Sequence, residues 1–216
     1  MPRTSSGAVR VVVADDHAVV RRGLAEILNE TMDLEVVGEA GTGDELLRFL
    51  RCNPVDVVVL DLSMPGLSGL DLIKGLRAEF PGLPLLVLSM HPEDQYAVRV
   101  LRAGVSGYLT KETAERDLVQ AVRRVASGAR YLTPGMAEAL LSHLDADPEA
   151  DPHAALSDRE YQVLRLLASG KPVSAIGEEL ALSVKTVSTY RARLLKKMGM
   201  KNNAELTRYA IEHGLV

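Results

Sequence analysis

Tryptophan is absent from this sequence, cysteine occurs once, and aromatic residues make up only 4% of it. A single thiol, Cys52, rules out an internal disulfide, and nothing near it has the spacing of a metal-ligand cluster. Its apolar-periodic surroundings predict an inert, packed side chain. With so few aromatic rings, the cores must be built from Val, Leu, Ile and Ala, and 47% hydrophobic content supplies enough of them. No apolar run approaches the ~20 residues that span a bilayer. The first seven residues are too short and polar for a secretory leader. The expectation is a cytoplasmic protein without a membrane partner.

Positive charge is also in deficit, with 25 Lys and Arg against 29 Asp and Glu, net −4. The deficit is uneven. From residue 154 onward ten basic residues face six acidic ones, net +4, which leaves −8 for the rest. An acidic first module and a basic second one suggest different partners, with nucleic acid a candidate for the second.

A length of 216 residues allows one or two domains. Over the first ~130 residues, short β-branched runs at 10–14, 35–40, 55–60, 85–89 and 107–109 alternate with amphipathic segments at 19–29, 43–52, 70–80, 96–103 and 114–127. Runs such as VDVVVL and PLLVLS are apolar on both faces, as strands of a parallel sheet covered by helices must be. Five such units predict a doubly wound α/β sandwich. A further helical pattern covers 134–144, then DADPEADPHAA reads as linker, and everything after 156 is helical. The expected parts are a module over 8–128, a linker with a short helix over 129–153, and an all-α module over 154–216.

In an open parallel sheet, ligand chemistry gathers at the carboxyl ends of the strands. Asp15 and Asp16 follow the first run and Asp61 follows the third. With strand order 2-1-3-4-5 the three acids converge. Any one could merely cap a helix, but three together repel each other unless a cation joins them, and oxygen-only ligands suit Mg2+. A carboxylate so placed can act as nucleophile toward a phosphoryl group. Ser89 ends the fourth run with a hydroxyl, and Lys111 ends the fifth with a cation able to pair with Asp61 or its phosphate. Gly38, Gly41 and Gly43 mimic a dinucleotide loop, but their spacing is G-x-x-G-x-G and they follow the second strand, not the first.

VVVADDHAVVRRGL, VVVLDLSMPGLSGLDLI, VLSMHPED and AGVSGYLTKE together resemble the receiver domain of two-component response regulators, a CheY-like (flavodoxin-like) fold with a five-stranded sheet. The resemblance implies Asp61 as phosphoacceptor and Mg2+ held by Asp16 and Asp61, with Asp15 and the backbone carbonyl of Ser63 assisting. It implies switch and phosphate-pairing roles for Ser89, Tyr108 and Lys111. Glu112 departs from the pattern, which often has a cis proline after the lysine. Pro65 and Gly66 suit the turn expected after Asp61.

In the basic module, Ser157 with Glu160 predicts a capping box, and Gly170 ends that helix. A short helix over 174–180, a turn over 181–183 and a longer helix from Ser183 to about Met198 give helix-turn-helix spacing. On the longer helix Val184, Val187, Leu194 and Met198 can face a core. Lys185, Ser188, Thr189, Arg191, Ala192, Arg193 and Lys196 share the outer surface, with small and hydroxyl groups able to approach base edges. LSDRE, VLRLLASG and ALSVKTVSTYRARLLKKMG resemble the LuxR-type helix-turn-helix of the NarL/FixJ regulators. By that resemblance Lys185, Thr186, Ser188, Thr189, Ala192 and Arg193 lie at or near DNA, Arg191 and Lys196 contact its backbone, and the final helix, 204–213, dimerises. Gly177 replaces a usual alanine, at a cost of roughly 0.5–1 kcal/mol in helix stability, and Tyr190 replaces a usual histidine.

Together these readings predict a phosphorylation-dependent transcription regulator rather than an enzyme. A sensor histidine kinase supplies the phosphate, and a homodimer binds double-stranded promoter DNA. A phosphatase with turnover would need an acid two residues beyond Asp61, where Ser63 stands. A constitutive DNA binder would have no use for the full set Asp15, Asp16, Asp61, Ser89 and Lys111.

Overall fold

A computed structural model describes residues 7–64, 67, 69–89, 95–138, 152–180 and 182–216. The chain divides into two compact units, Met1–Ala137 and Glu138–Val216.

In the first unit β1 (Val9–Ala14), β2 (Leu34–Ala40), β3 (Val57–Asp61), β4 (Leu85–Ser89) and β5 (Gly107–Thr110) alternate with α1 (Ala18–Asn29), α2 (Gly43–Cys52), α3 (Gly69–Glu79), α4 (Gln95–Arg102) and α5 (Lys111–Ala126). All strand pairs are parallel, in the order β2-β1-β3-β4-β5. Every residue of β3 and β4 is buried, which is why these strands carry unbroken apolar runs. Val11, Val13, Val57, Val59, Leu86 and Leu88 join Leu24 and Leu28 of α1 and Leu118, Val122 and Val125 of α5 in one core. Such burial stabilises by about 1.5–3 kcal/mol per large side chain.

The register sets the site. Ala14 lies opposite Leu60 and Ser89 opposite Thr110. Asp15, Asp61, Ser89 and Lys111 therefore reach the same rim of the sheet.

The glycines in and after β2 serve packing. A Cβ on Gly38 would strike the Phe49 ring, and one on Gly43 would strike the backbone carbonyl of Leu67. Cys52, expected to be packed, is exposed at the end of α2, about 200° round the helix axis from the buried Leu50. Residues 134–138 are helical. The rest of the helix expected over 134–144, most of the linker, and the Pro65–Gly66 turn lie outside the described residues.

The second unit opens with a 3-10 turn, Pro152–Ala155, and continues with α6 (Asp158–Ala168), α7 (Val173–Glu179), α8 (Val184–Lys197) and α9 (Asn203–Glu212). Its core includes Tyr161, Leu164, Ile176, Val187, Leu194, Leu206 and Ala210. His153, in the opening turn, is buried and shares a 2.7 Å hydrogen bond with the Tyr209 hydroxyl of α9. Among the described residues no helix is long and apolar enough to cross a membrane.

Candidate functional site: an acidic pocket and a recognition helix

Asp15 sits one residue past β1 and Asp61 is the last residue of β3, and both are buried. Lys111 begins α5, whose N-cap Thr110 accepts a hydrogen bond from the backbone N–H of Thr113. That cap starts the helix three residues earlier than the expected 114 and fixes the backbone that carries Lys111. The ammonium donates to Asp15 Oδ2 at 2.6 Å and to Asp61 Oδ2 at 3.0 Å. Asp61 Oδ1 accepts from the Ser63 N–H at 3.2 Å, and Asp15 Oδ1 accepts from the His17 N–H at 2.8 Å. Burial pushes the Asp61 carboxyl above its ordinary range, and Lys111 offsets this only in part. Lys111 is held above its own usual value, because its bonds to Asp15 and Asp61 outweigh its burial.

Asp16 lies on the exposed side of the pocket. One ligand atom each from Asp15, Asp16, His17 and Asp61 fall within 4.8 Å of one another. Such a donor set fits a divalent cation, since three carboxylates meet only one ammonium. Ser89 is buried at the end of β4 on the same rim, and Tyr108 is buried within β5, opposite Val87 and two residues short of the Thr110 that faces Ser89. Sequence reasoning did not select His17, although it directly follows the acid pair. It also missed Arg21, whose guanidinium donates to the Asp15 carbonyl at 2.6 Å and steadies that turn; only its i+4 spacing from His17 hinted at this.

In the second unit the Ser157–Glu160 capping box is formed on both sides. Ser183 caps α8 through the Thr186 N–H, so Thr186 also belongs to the cap. Lys185, Ser188, Thr189, Ala192, Arg193 and Lys196 are exposed on one outer surface. Arg191 is half-buried and donates to Asn203 Oδ1 at 2.6 Å, which ties α8 to the start of α9. Val187, Leu194 and Met198 face the core as expected, but Val184 is 55% exposed. It stands in the first turn of α8, at the edge of the face that Val187, Leu194 and Met198 bury.

A doubly wound sheet with two buried acids at adjacent strand ends, bridged by a lysine at the start of α5, defines a receiver-type acidic pocket. The second unit defines a helix-turn-helix. The model for the response regulator receiver domain matches residues 11–123, and that for bacterial regulatory proteins of the luxR family matches residues 154–210. Response regulator UvrY of Escherichia coli K12 is 38% identical over 208 residues, covering 96% of this chain and 95% of that protein. Response regulator GacA of Pseudomonas aeruginosa is 36% identical over 209 residues, covering 96% and 98%. The structure of RcsB from Salmonella enterica serovar Typhimurium bound to promoter P1flhDC with the phosphomimetic BeF3− superposes with a TM-score of 0.67. It shows 30% identity and covers 94% of this chain and 98% of that one. The chain belongs to the response regulators that join a receiver domain to a LuxR-type DNA-binding domain.

Proposed function

We propose that Asp61 accepts a phosphoryl group from the phosphohistidine of a sensor kinase, and that this controls dimerisation and promoter binding by the second unit. The observation that carries the reading is the Lys111 ammonium bridging the two buried acids, 2.6 Å from Asp15 and 3.0 Å from Asp61. A carboxylate oxygen of Asp61 attacks phosphorus, the P–N bond breaks, and the imidazole leaves with the bonding pair and takes up a proton. Lys111 is placed to pair with the new phosphoryl oxygens as it now pairs with the carboxylate. Asp15, Asp16, Asp61 and the Ser63 carbonyl would hold a Mg2+ ion, which when bound neutralises charge on the transferring group. Ser89 supplies a hydroxyl to the phosphoryl group, and Tyr108 repacks with it.

Lys185, Thr186, Ser188, Thr189, Ala192 and Arg193 approach the major groove, and Lys196 neutralises phosphate. Arg191 does so only if it can leave Asn203. Two copies would read half-sites about one helical turn apart. The receiver is assigned to 8–128, the linker to 129–153 and the DNA-binding module to 154–216. The site of action is the cytoplasm, where both DNA and the kinase's catalytic domain are found. Phosphate is taken up once per activation, without catalytic turnover. Labelling with acetyl phosphate is expected for the unaltered chain and not for Asp61→Asn. Undiminished labelling of a folded Asp61→Asn protein refutes the assignment.

A further inference from the structure

We propose that His17 is an additional ligand of the cation site, and that its imidazole makes the pocket favour transition-metal dications such as Mn2+ over Mg2+. The inference rests on the cation-binding reading of the acidic pocket. His17 holds the N-cap position of α1, yet its side chain makes no capping hydrogen bond there. Histidine is also not among the favoured N-cap residues. Instead the ring turns toward the acids, with Nδ1 2.8 Å from Asp16 Oδ1 and 3.4 Å from Asp15 Oδ1.

These distances match a shared ion. Donors bound at about 2.1 Å and at right angles lie roughly 3.0 Å apart, and the two values bracket that separation. The four donor atoms of Asp15, Asp16, His17 and Asp61 span no more than 4.8 Å, near the roughly 4.2 Å between opposite ligands of such an ion. Lys111 occupies Oδ2 of both buried acids, and so leaves the His17 side of the pocket to a cation. The imidazole is 67% exposed, so it can turn onto the ion without moving the backbone.

Donor chemistry then sets the preference. Mg2+ takes oxygen ligands and parts with water reluctantly. A neutral imidazole nitrogen suits borderline cations, whose affinity for N/O sites rises from Mn2+ toward Cu2+. One nitrogen among carboxylates should therefore discriminate between Mn2+ and Mg2+, where the acids alone do so weakly.

The test uses the full-length chain and His17→Ala, with metal removed beforehand. Calorimetric titration with each cation alone is expected to show the Mn2+-to-Mg2+ affinity ratio falling about tenfold in the variant, mostly through Mn2+. Pulsed electron paramagnetic resonance of the Mn2+-loaded chain is expected to show modulation from a directly bound nitrogen, lost in His17→Ala. No capping bond is removed, so the melting temperature should hold and report an intact fold. If both cations bind, no nitrogen is seen and the ratio is unchanged, the His17 assignment falls while the cation site stands. If neither cation binds the unaltered chain, both fall.

Discussion

The acidic pocket is a place where function opposes stability. Asp15 and Asp61 are buried, and Lys111 is the one cation that contacts them both among the described residues. Two negative charges thus face one positive charge out of water. Removing a charge of the majority sign should stabilise the metal-free pocket, because an amide in place of the Asp61 carboxylate leaves a neutral Asp15–Lys111 pair. Asp61→Asn is expected to gain about 1 kcal/mol, several degrees in melting temperature for a domain of this size, when measured in chelator. Lys111→Met has the opposite sign, since it leaves two buried carboxylates with no counter-charge. It is expected to cost roughly 2 kcal/mol or more in chelator, with much of the loss recovered when Mg2+ is added. Equal shifts of one sign for both variants would show that charge balance does not govern this pocket. Ordinary patterning revealed the acids here, because the apolar stretches VVVA and VVVL run straight into them. His17 escaped notice because an exposed histidine after two acids has no period and no motif of its own; only the turn of its ring toward Asp16 marks it.

Helix boundaries were legible where a side chain announces them. Ser157 with Glu160, and Ser183 ahead of α8, cap as their sequence predicts. The start of α5 was not, because Lys111–Thr113 reads equally well as the end of a strand, and only the Thr110 cap decides it. Val184 misled for a similar reason. The helical period places it near Val187 and Leu194, but roughly 60–80° round the axis from them, at the edge of the buried face, and there it is exposed. The Ser157–Glu160 box also gains a tertiary partner that spacing cannot reveal. Lys197 at the end of α8 donates to Glu160 Oε2 at 2.7 Å, so the start of α6 is fastened to the end of the recognition helix. Burial of Glu160 favours its neutral form, but the bonds from Lys197 and Ser157 outweigh it and hold the carboxyl below its usual 4.5. A depressed carboxylate contributes stability that is full above the unfolded value and is lost as pH falls through the folded one. The unfolding transition of the DNA-binding module, followed by calorimetry, should therefore weaken as pH drops below about 4.5. Glu160→Gln should lose about 1 kcal/mol at neutral pH and flatten that part of the profile. At Gly177 the argument from helix propensity fails. A Cβ there would lie 2.8 Å from the Leu182 carbonyl, a backbone atom of the turn whose own N–H donates to the Gly177 carbonyl. Gly177→Ala is expected to give no gain in melting temperature, despite alanine's propensity.

At the level of the whole molecule, net charge is −8 before residue 154 and +4 from there on, so the part with the acidic pocket and the DNA-binding part differ in sign. The basic surplus is small, so affinity for DNA must depend on where the charges stand rather than on their number. On α8, Lys185, Arg193 and Lys196 are exposed beside the small or hydroxyl residues Ser188, Thr189 and Ala192. These two sets should separate in their salt dependence. Each phosphate neutralised releases condensed counterions, so replacing a phosphate-contacting lysine lowers the slope of log K against log salt by about 0.9. Lys196→Ala is expected to do this on operator and random DNA alike. Thr189→Ala should leave the slope alone and instead narrow the gap between operator and random sequence, since a hydroxyl at a base edge carries information without net charge. Binding isotherms for both variants at several salt concentrations decide the matter. A slope unchanged by Lys196→Ala, together with a slope reduced by Thr189→Ala, would mean that α8 lies on the duplex with a different face from the one its exposed residues present.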